Sequence, residues 1–350
     1  MRSLTLCSLA DAGQSACAQQ RRDSRRTRHM TGLLPSLVLF FLAPLVSEFL
    51  LGNLPITMLP ALLILAPMYG GGALLIREIV RRTGRSWPSI MLLGIAYAIL
   101  EEAFTTQTLF NPNYLHLNLH LLDYAPIRAL GIGAWWSMYV LSLHSIWSIA
   151  VSIALAEALF PEKAATPWLG TIGLSATAFI FLFGIAATTL VSLRIEREKG
   201  GIFVASSSQF LGAAVVCILL IVIAFALPVH QRELRAGTVV RPSIVGTAGF
   251  VAGLIFLLVP PFWGWGAVAI YIALYLIAII FVLSQSSRNG WGARHRLALA
   301  SGAALAYAVH SFPQPSVTNE DPTIDLIGNS IFTVGAVAII AIGFWRNTGH

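Results

Sequence analysis

Long apolar stretches separated by short polar ones recur along the whole chain. Their lengths suit membrane-spanning helices, which need about 20 apolar residues each. There are ten such stretches, at residues 34–52, 58–80, 88–110, 129–160, 168–193, 202–228, 243–261, 265–285, 297–312 and 326–345. We interpret 129–160 as one long or kinked helix. The pattern therefore predicts an all-α, polytopic transmembrane helical bundle with about ten spans.

The basic residues of the short loops predict how the spans are oriented. Loops rich in lysine and arginine usually lie in the cytoplasm. The basic loops would share one side of the membrane and contain Arg21–Arg28, Arg81–Arg85, Lys163, Arg232–Arg241, Arg288–Arg296 and Arg346. The segment RIEREKGG, Arg194–Gly201, would lie on the other side and is an exception. We therefore expect both termini in the cytoplasm and a location in the cell inner membrane.

Three segments follow from this division. Residues 1–33 include QQRRDSRRTRH, and we expect a disordered basic cytoplasmic tail. Translation could start at Met30 instead of Met1. Residues 34–193 form an N-terminal transmembrane half with a polar cluster, and residues 202–346 form a more apolar C-terminal half.

Composition narrows the class of protein further. A hydrophobic fraction of 57% with 11% charged residues and a mean hydropathy of +0.77 exclude a soluble globular domain. The net charge of +7 does not indicate nucleic-acid binding, because the basic residues lie in short clusters between apolar runs. The three cysteines are scattered and predict neither a disulfide nor a zinc site. The lipid bilayer is the expected partner; no cofactor or metal site is predicted, and metal binding by loop 111–125 stays open.

Ionisable side chains inside the spans are the candidates for function. Each costs about 3 kcal/mol to insert, so such residues usually have a role. They are Glu48, Arg77, Glu78, Glu101, Glu102, His144 and Glu157. With a rise of about 1.5 Å per residue, Glu48, Glu101 and His144 fall at similar depths. Arg77, Glu78 and Glu157 fall near the cytoplasmic face, where we expect a salt-bridge network with Arg77 and Glu157 as a pair.

Adjacent Glu101 and Glu102 interrupt the apolar run LLGIAYAILEEAFTTQTLF. Two carboxyl groups in low dielectric titrate as a pair, so one can hold a proton while the other accepts one. With His144 at the same depth, this arrangement suits general-base activation of water. A carboxylate would take the proton, and the imidazole would position the water or stabilise the oxyanion.

Neighbouring positions suggest supporting residues. Thr105 and Thr108 share the helical face of Glu101, Ser148 shares that of His144, and Glu48 lies at a matching depth. We expect Glu48, Thr105 and Ser148 to support the site. Glu102 lies about 100° around the helix from Glu101 and beside Thr106, so we do not expect both acids to point at the same partner.

A glutamate pair followed by a histidine in the next span resembles the CPBP family, the CAAX protease and bacteriocin-processing group of intramembrane glutamate proteases. That family carries EExxxR, then FxxxH, then a motif similar to HxxxN. Glu101 and Glu102 match the two glutamates of the first motif, and Thr106 stands at its arginine position. His144 matches the histidine of the second motif, and Val140 stands at its phenylalanine position. A third motif is not found. The resemblance covers about a sixth of the chain. It implies metal-independent hydrolysis of a membrane-anchored peptide, with Glu101 or Glu102 as the base and His144 as its partner. The phrase YGGGALLIRE also resembles uncharacterised bacterial multi-pass membrane proteins.

Two other functions stay open at this point. The same acids suit a proton-coupled transporter or permease, although the C-terminal half has no counterpart of Glu101 such as an inverted repeat would carry. The third alternative is a non-catalytic membrane scaffold in which neutral, hydrogen-bonded acids serve helix packing.

Overall fold

The chain folds into a bundle of helices, one for each predicted apolar stretch. The computed structural model describes residues 33–229 and 236–348, so the predicted basic tail, Met30, Arg232 and Arg235 lie outside the described residues. The main helices of the described chain are α1 Leu33–Phe49, α2 Ile56–Arg82, α3 Trp87–Thr105, α4 Ala134–Leu159, α5 Thr171–Lys199, α6 Ser207–Ala226, α7 Pro242–Leu258, α8 Trp265–Ser286, α9 Ala293–His310 and α10 Pro322–Arg346.

Seven of these helices are long and apolar enough to cross a membrane, namely α2 to α6, α8 and α10. Helices α1 and α7 are apolar but shorter, and the first turn of α9 contains Arg294, His295 and Arg296. The prediction of a multi-pass, nearly all-α bundle is confirmed, while the number of crossings and the side of the termini stay predictions. Residues 134–159 form one helix, as predicted for the 129–160 stretch.

Two predicted boundaries are wrong. Helix α5 continues through Lys199, so most of RIEREKGG is helical and not loop. Helix α3 ends at Thr105 and not near Phe110, because the backbone departs from the helical conformation at Gln107, which has a φ of 60°. Residues 106–110 therefore belong to the following connection.

The connection between α3 and α4, residues 106–133, is named the α3–α4 loop. It contains a short 3₁₀ turn at Tyr114–His116 and two short antiparallel strands, β1 Pro126–Ile127 and β2 Ile132–Gly133, paired as Pro126 with Gly133. Several non-glycine residues of this loop have positive φ angles: Gln107, Leu115, His116, Asn118, His120 and Ala125. Each such residue costs of order 1 kcal/mol or more, and strained backbone of this kind clusters at functional sites.

Helix α4 lies at the centre of the bundle and has the largest buried share of the seven long helices. Trp147 stacks on Tyr307 of α9 with ring centroids 4.5 Å apart, and Tyr139 stacks on Phe256 of α7 at 5.3 Å. One hydrophobic core extends from Leu39 in α1 to Ala336 in α10. Helix α4 therefore connects the two predicted halves through one continuous core.

Close packing of α1, α2 and α3 depends on the glycines of the YGGG sequence. A Cβ atom at Gly70 would collide with the backbone carbonyl of Phe40 in α1, and one at Gly72 would collide with the ring of Tyr97 in α3. These contacts are an example of the close helix approach that small residues permit in membranes. Tyr69, which directly precedes these glycines, lies beside α1 and α3.

A buried ionic cluster, named the Arg77 network, joins α2 to α4. The guanidinium of Arg77 lies 2.6 Å from Glu78 and 3.2 Å from Glu157, and Arg81 lies 2.7 Å from Glu157. Arg77 also covers the ring of Trp168 at 3.4 Å. It donates to the carbonyl oxygens of Lys163, Ala164 and Thr166. The predicted salt-bridge network, including its Arg77–Glu157 pair, is confirmed.

Candidate functional site

Glu101, Glu102 and His144 meet in one buried group, named the Glu–Glu–His cluster. His144 Nε2 lies 2.8 Å from Glu102 Oε1, and His144 Nδ1 lies 3.2 Å from Glu101 Oε2. All three side chains are buried. The structure thus brings together the three residues that the sequence singled out, and their catalytic role stays a prediction.

Both acids contact the same histidine, so the expectation that they cannot share a partner is wrong. The imidazole lies between the two carboxylates and presents a different ring nitrogen to each one. The helix is also wider here than the ideal α-helix assumed from the sequence, because Leu100–Thr105 is π-helical and Thr106 N–H donates to Glu101 C=O at 2.9 Å. A π-helical turn changes the angle between successive side chains.

Four π-helical turns surround the cluster, one in each of α1 to α4. Within the described residues these turns are Leu45–Phe49 with Glu48, Ala66–Gly70 with Tyr69, Leu100–Thr105 with Glu101 and Glu102, and Leu143–Val151 with His144 and Ser148. Such turns are rare and occur frequently at functional sites. The local backbone of all four helices therefore departs from α-helical geometry at the residues that form or flank the cluster.

Glu48 lies beside the cluster and is connected to it through Tyr69. The Tyr69 hydroxyl donates to Glu48 Oε1 at 2.6 Å, and Asn53 Nδ2 donates to Glu48 Oε2 at 2.5 Å. The rings of Tyr69 and His144 have centroids 5.7 Å apart. Sequence reasoning did not select Tyr69 or Asn53. The position of Tyr69 directly before the glycines was the signal that could have indicated it.

Threonine hydroxyls hold Glu102 in place. Thr108 and Thr106 both donate to Glu102 Oε2, the latter at 3.2 Å. Trp136 Nε1 in turn donates to the Thr108 hydroxyl at 3.2 Å. Thr105, expected to support Glu101, donates instead to the Leu100 carbonyl of its own helix at 3.3 Å. Because α3 ends at Thr105, Thr108 leaves the face of Glu101 and reaches back to Glu102.

Glu101 has a free acceptor atom that Glu102 lacks. Within the described chain, Glu101 Oε2 and the Tyr97 hydroxyl are buried without a hydrogen-bond partner. The contact between Glu101 Oε2 and His144 Nδ1 is close enough for charge attraction but is not aligned as a hydrogen bond. Ser148, predicted to support His144, lies with its Oγ 3.3 Å from the same ring nitrogen.

The α3–α4 loop follows directly after the two glutamates and is tied to α5 and to the segment before α6. Asn111 Nδ2 donates to Glu196 Oε1 at 2.6 Å, and Ala205 N–H donates to Gln107 Oε1 at 2.8 Å. Burial raises the pKa of Tyr114 above its usual value, so its phenol stays protonated beside Ser192 Oγ, 3.3 Å away. These bonds fix the loop segment that carries Thr108.

The histidines of the α3–α4 loop do not converge on a common point. His116 Nε2 contacts the Gly201 carbonyl at 2.9 Å, and His120 Nδ1 contacts Asp123 Oδ2 at 2.8 Å. Among the described residues, the group placed to hold a metal ion is the Glu–Glu–His cluster, whose ligand atoms lie within 4.8 Å of one another.

A family model described as an uncharacterized membrane protein family matches residues 37–346, and no CPBP family model matches the chain. No curated protein and no solved structure matches the chain. The match covers parts of all ten helices and supports a membrane location.

Proposed function

We propose that the chain, which belongs to an uncharacterized family of membrane proteins, is an intramembrane hydrolase that cleaves membrane-anchored peptides. The observation that carries this proposal is the convergence of four π-helical turns on one buried Glu–Glu–His cluster. Distorted backbone at four neighbouring helices lowers stability and is retained mainly where function requires it. Helix packing alone does not require such turns.

The contacts favour different roles for the two acids. Glu102 is held by His144, Thr106 and Thr108, so we assign it to orient the imidazole. Glu101 has an acceptor oxygen without a hydrogen-bond donor, so we assign it as the general base that takes a proton from water. The imidazole of His144 would stabilise the oxyanion that develops on the substrate carbonyl.

Hydrolysis at this site needs no reactant other than the peptide and water. The water oxygen forms a bond to the acyl carbon while Glu101 accepts the proton that water loses. The C–N bond then breaks, and the leaving nitrogen takes that proton back from Glu101. The products are a carboxylic acid and an amine, and the carboxylate base is restored.

The substrate class follows from the position of the cluster and from the CPBP resemblance. Glu101, Glu102 and His144 are buried within helices that are long and apolar enough to cross a membrane. A peptide that reaches them would itself be held in the bilayer. The proposal includes the predicted orientation, with both termini in the cytoplasm and the protein in the inner membrane.

The test is cleavage of labelled membrane peptides by the purified protein in liposomes. A panel of single-span and lipid-anchored peptides would carry a fluorophore and a quencher on opposite sides of the candidate cleavage region. Wild-type protein should release fluorescence. Glu101→Gln, Glu102→Gln and His144→Gln should each reduce the rate by at least about a hundredfold, as loss of an acid–base group commonly does.

Two controls separate chemistry from folding. Glu320→Gln changes an acid that accepts a hydrogen bond from the Thr57 hydroxyl at an exposed position, and it should cleave at the wild-type rate. Each variant must also elute from size-exclusion chromatography as the wild type does. Folded Glu101→Gln and Glu102→Gln proteins with wild-type cleavage would refute the assigned roles, and no cleavage of any panel peptide by wild type would refute the substrate class.

Proton-coupled transport is a second candidate, favoured by one specific observation. Asn53, Glu48 and Tyr69 form a hydrogen-bonded series that leads from the α1–α2 connection toward His144. Such a series can pass protons. Liposomes containing a pH-sensitive dye would distinguish the two functions, since a transporter acidifies the lumen when a proton gradient is imposed and a hydrolase does not.

A further inference from the structure

We propose that Glu101, Glu102 and His144 bind one divalent transition-metal ion of the zinc class. This inference goes beyond the proposed hydrolase, and it differs from the metal-independent chemistry that the CPBP resemblance implies. Binding of the ion does not depend on hydrolase activity, whereas any catalytic role of the ion rests on the proposed function.

The ligand set and its spacing suit such an ion. Two carboxylate oxygens and one imidazole nitrogen lie within 4.8 Å of one another. Around a zinc ion with bonds of about 2.0 to 2.2 Å, neighbouring ligand atoms lie roughly 3 to 3.5 Å apart. His144 Nε2 and Glu102 Oε1 lie 2.8 Å apart, which is closer than this range, so a bound ion would move the two atoms slightly apart. Three protein ligands leave a coordination position open, as in catalytic zinc sites.

An unpartnered atom lies in the same place. Glu101 Oε2 is buried without a hydrogen-bond partner in the described structure, and a metal ion would engage the Glu101 carboxylate. If Nε2 of His144 binds the ion, Nδ1 carries the proton and faces Ser148 Oγ at 3.3 Å, and such an outer contact normally orients a metal-binding histidine.

The test measures metal directly in the purified full-length protein. The protein is loaded with Zn²⁺ in detergent, dialysed against a weak chelator and analysed by mass spectrometry of the metal. We expect about one zinc ion per chain, bound through nitrogen and oxygen at about 2.0 to 2.2 Å by X-ray absorption. Glu102→Gln and His144→Gln should lower zinc affinity by more than about tenfold.

A matched control addresses adventitious binding by exposed histidines. His120 and Asp123 form an exposed pair, and His120→Gln should retain the full zinc content. The proposal is overturned if folded wild type retains no stoichiometric zinc, or if folded Glu102→Gln and His144→Gln proteins retain it. The wild-type measurement stays decisive even if a variant does not fold.

The same samples separate this proposal from the hydrolase. Peptide cleavage by zinc-free protein in chelator would overturn any catalytic role of the ion while the hydrolase stands. Stoichiometric zinc without cleavage of any panel peptide would leave the metal site standing and refute the proposed substrate class.

Discussion

Replacing Arg77 with methionine should strongly destabilise the protein while leaving the Glu–Glu–His cluster in place. Arg77 is fully buried, and its guanidinium contacts two glutamates, three backbone carbonyl oxygens and the ring of Trp168. Methionine fills a similar volume but donates no hydrogen bond. The variant therefore removes the positive charge that compensates Glu78 and Glu157.

The size of the expected loss in the free energy of unfolding follows from the contacts that remain in the variant. Removing one partner of a buried ion pair costs about 3 to 5 kcal/mol, because the other charge is left uncompensated. Glu157 keeps Arg81 at 2.7 Å, and Glu78 keeps the backbone N–H groups of Trp168 and Leu169 at 2.8 and 3.0 Å. Because these partners remain, we expect the loss in the free energy of unfolding to be near the lower end of that range, at about 3 kcal/mol.

The assay is reversible unfolding by SDS titration in mixed micelles, followed by tryptophan fluorescence. Arg194→Met is the matched control, because Arg194 forms an exposed pair with Glu198 and should give the wild-type curve. Glu102→Gln keeps the shape of its side chain and should change the free energy of unfolding by less than about 1.5 kcal/mol. Equal losses for Arg77→Met and Glu102→Gln would refute the separation of a structural network from a functional cluster.

Two further predictions concern a residue that holds Glu102 in place and a glycine that permits close helix packing. Thr108→Val removes a hydrogen-bond donor to Glu102. It should slow peptide cleavage while lowering the free energy of unfolding by only about 1 kcal/mol. Thr189 donates to a carbonyl of its own helix, so the control variant Thr189→Val should cleave at the wild-type rate. Gly70→Ala places a Cβ against the Phe40 carbonyl and should cost about 1 to 3 kcal/mol in SDS unfolding. Gly212→Ala, where nothing lies within 4 Å, should not lower stability, and equal losses at the two glycines would contradict the close α1–α2 contact.

The helices could be predicted from sequence because apolar length alone reports a membrane span. Each predicted stretch corresponds to a described helix. The depth argument placed Glu101 and His144 at one level, and they are in contact. The Arg77–Glu157 pair was predictable on the same ground, since both residues lie near the same end of their helices.

Other parts of the site could not be predicted, because they depend on departures from ideal helices. An ideal α-helix of 3.6 residues per turn does not describe the π-helical turn at Leu100–Thr105, so the shared contact of both acids with His144 was missed. The contact of Thr108 with Glu102 depends on where α3 ends. The bond between Tyr69 and Glu48 depends on the crossing of α1 and α2, which apolar periodicity does not specify.

The most direct test of the central claim is incorporation of heavy oxygen from labelled water into a cleaved membrane peptide. Wild-type protein in liposomes should give a new carboxyl terminus containing one heavy oxygen atom, and folded Glu101→Gln protein should form this product at least about a hundredfold more slowly. Unlabelled product from wild type, or labelled product from Glu101→Gln at the wild-type rate, would contradict water activation by the Glu–Glu–His cluster.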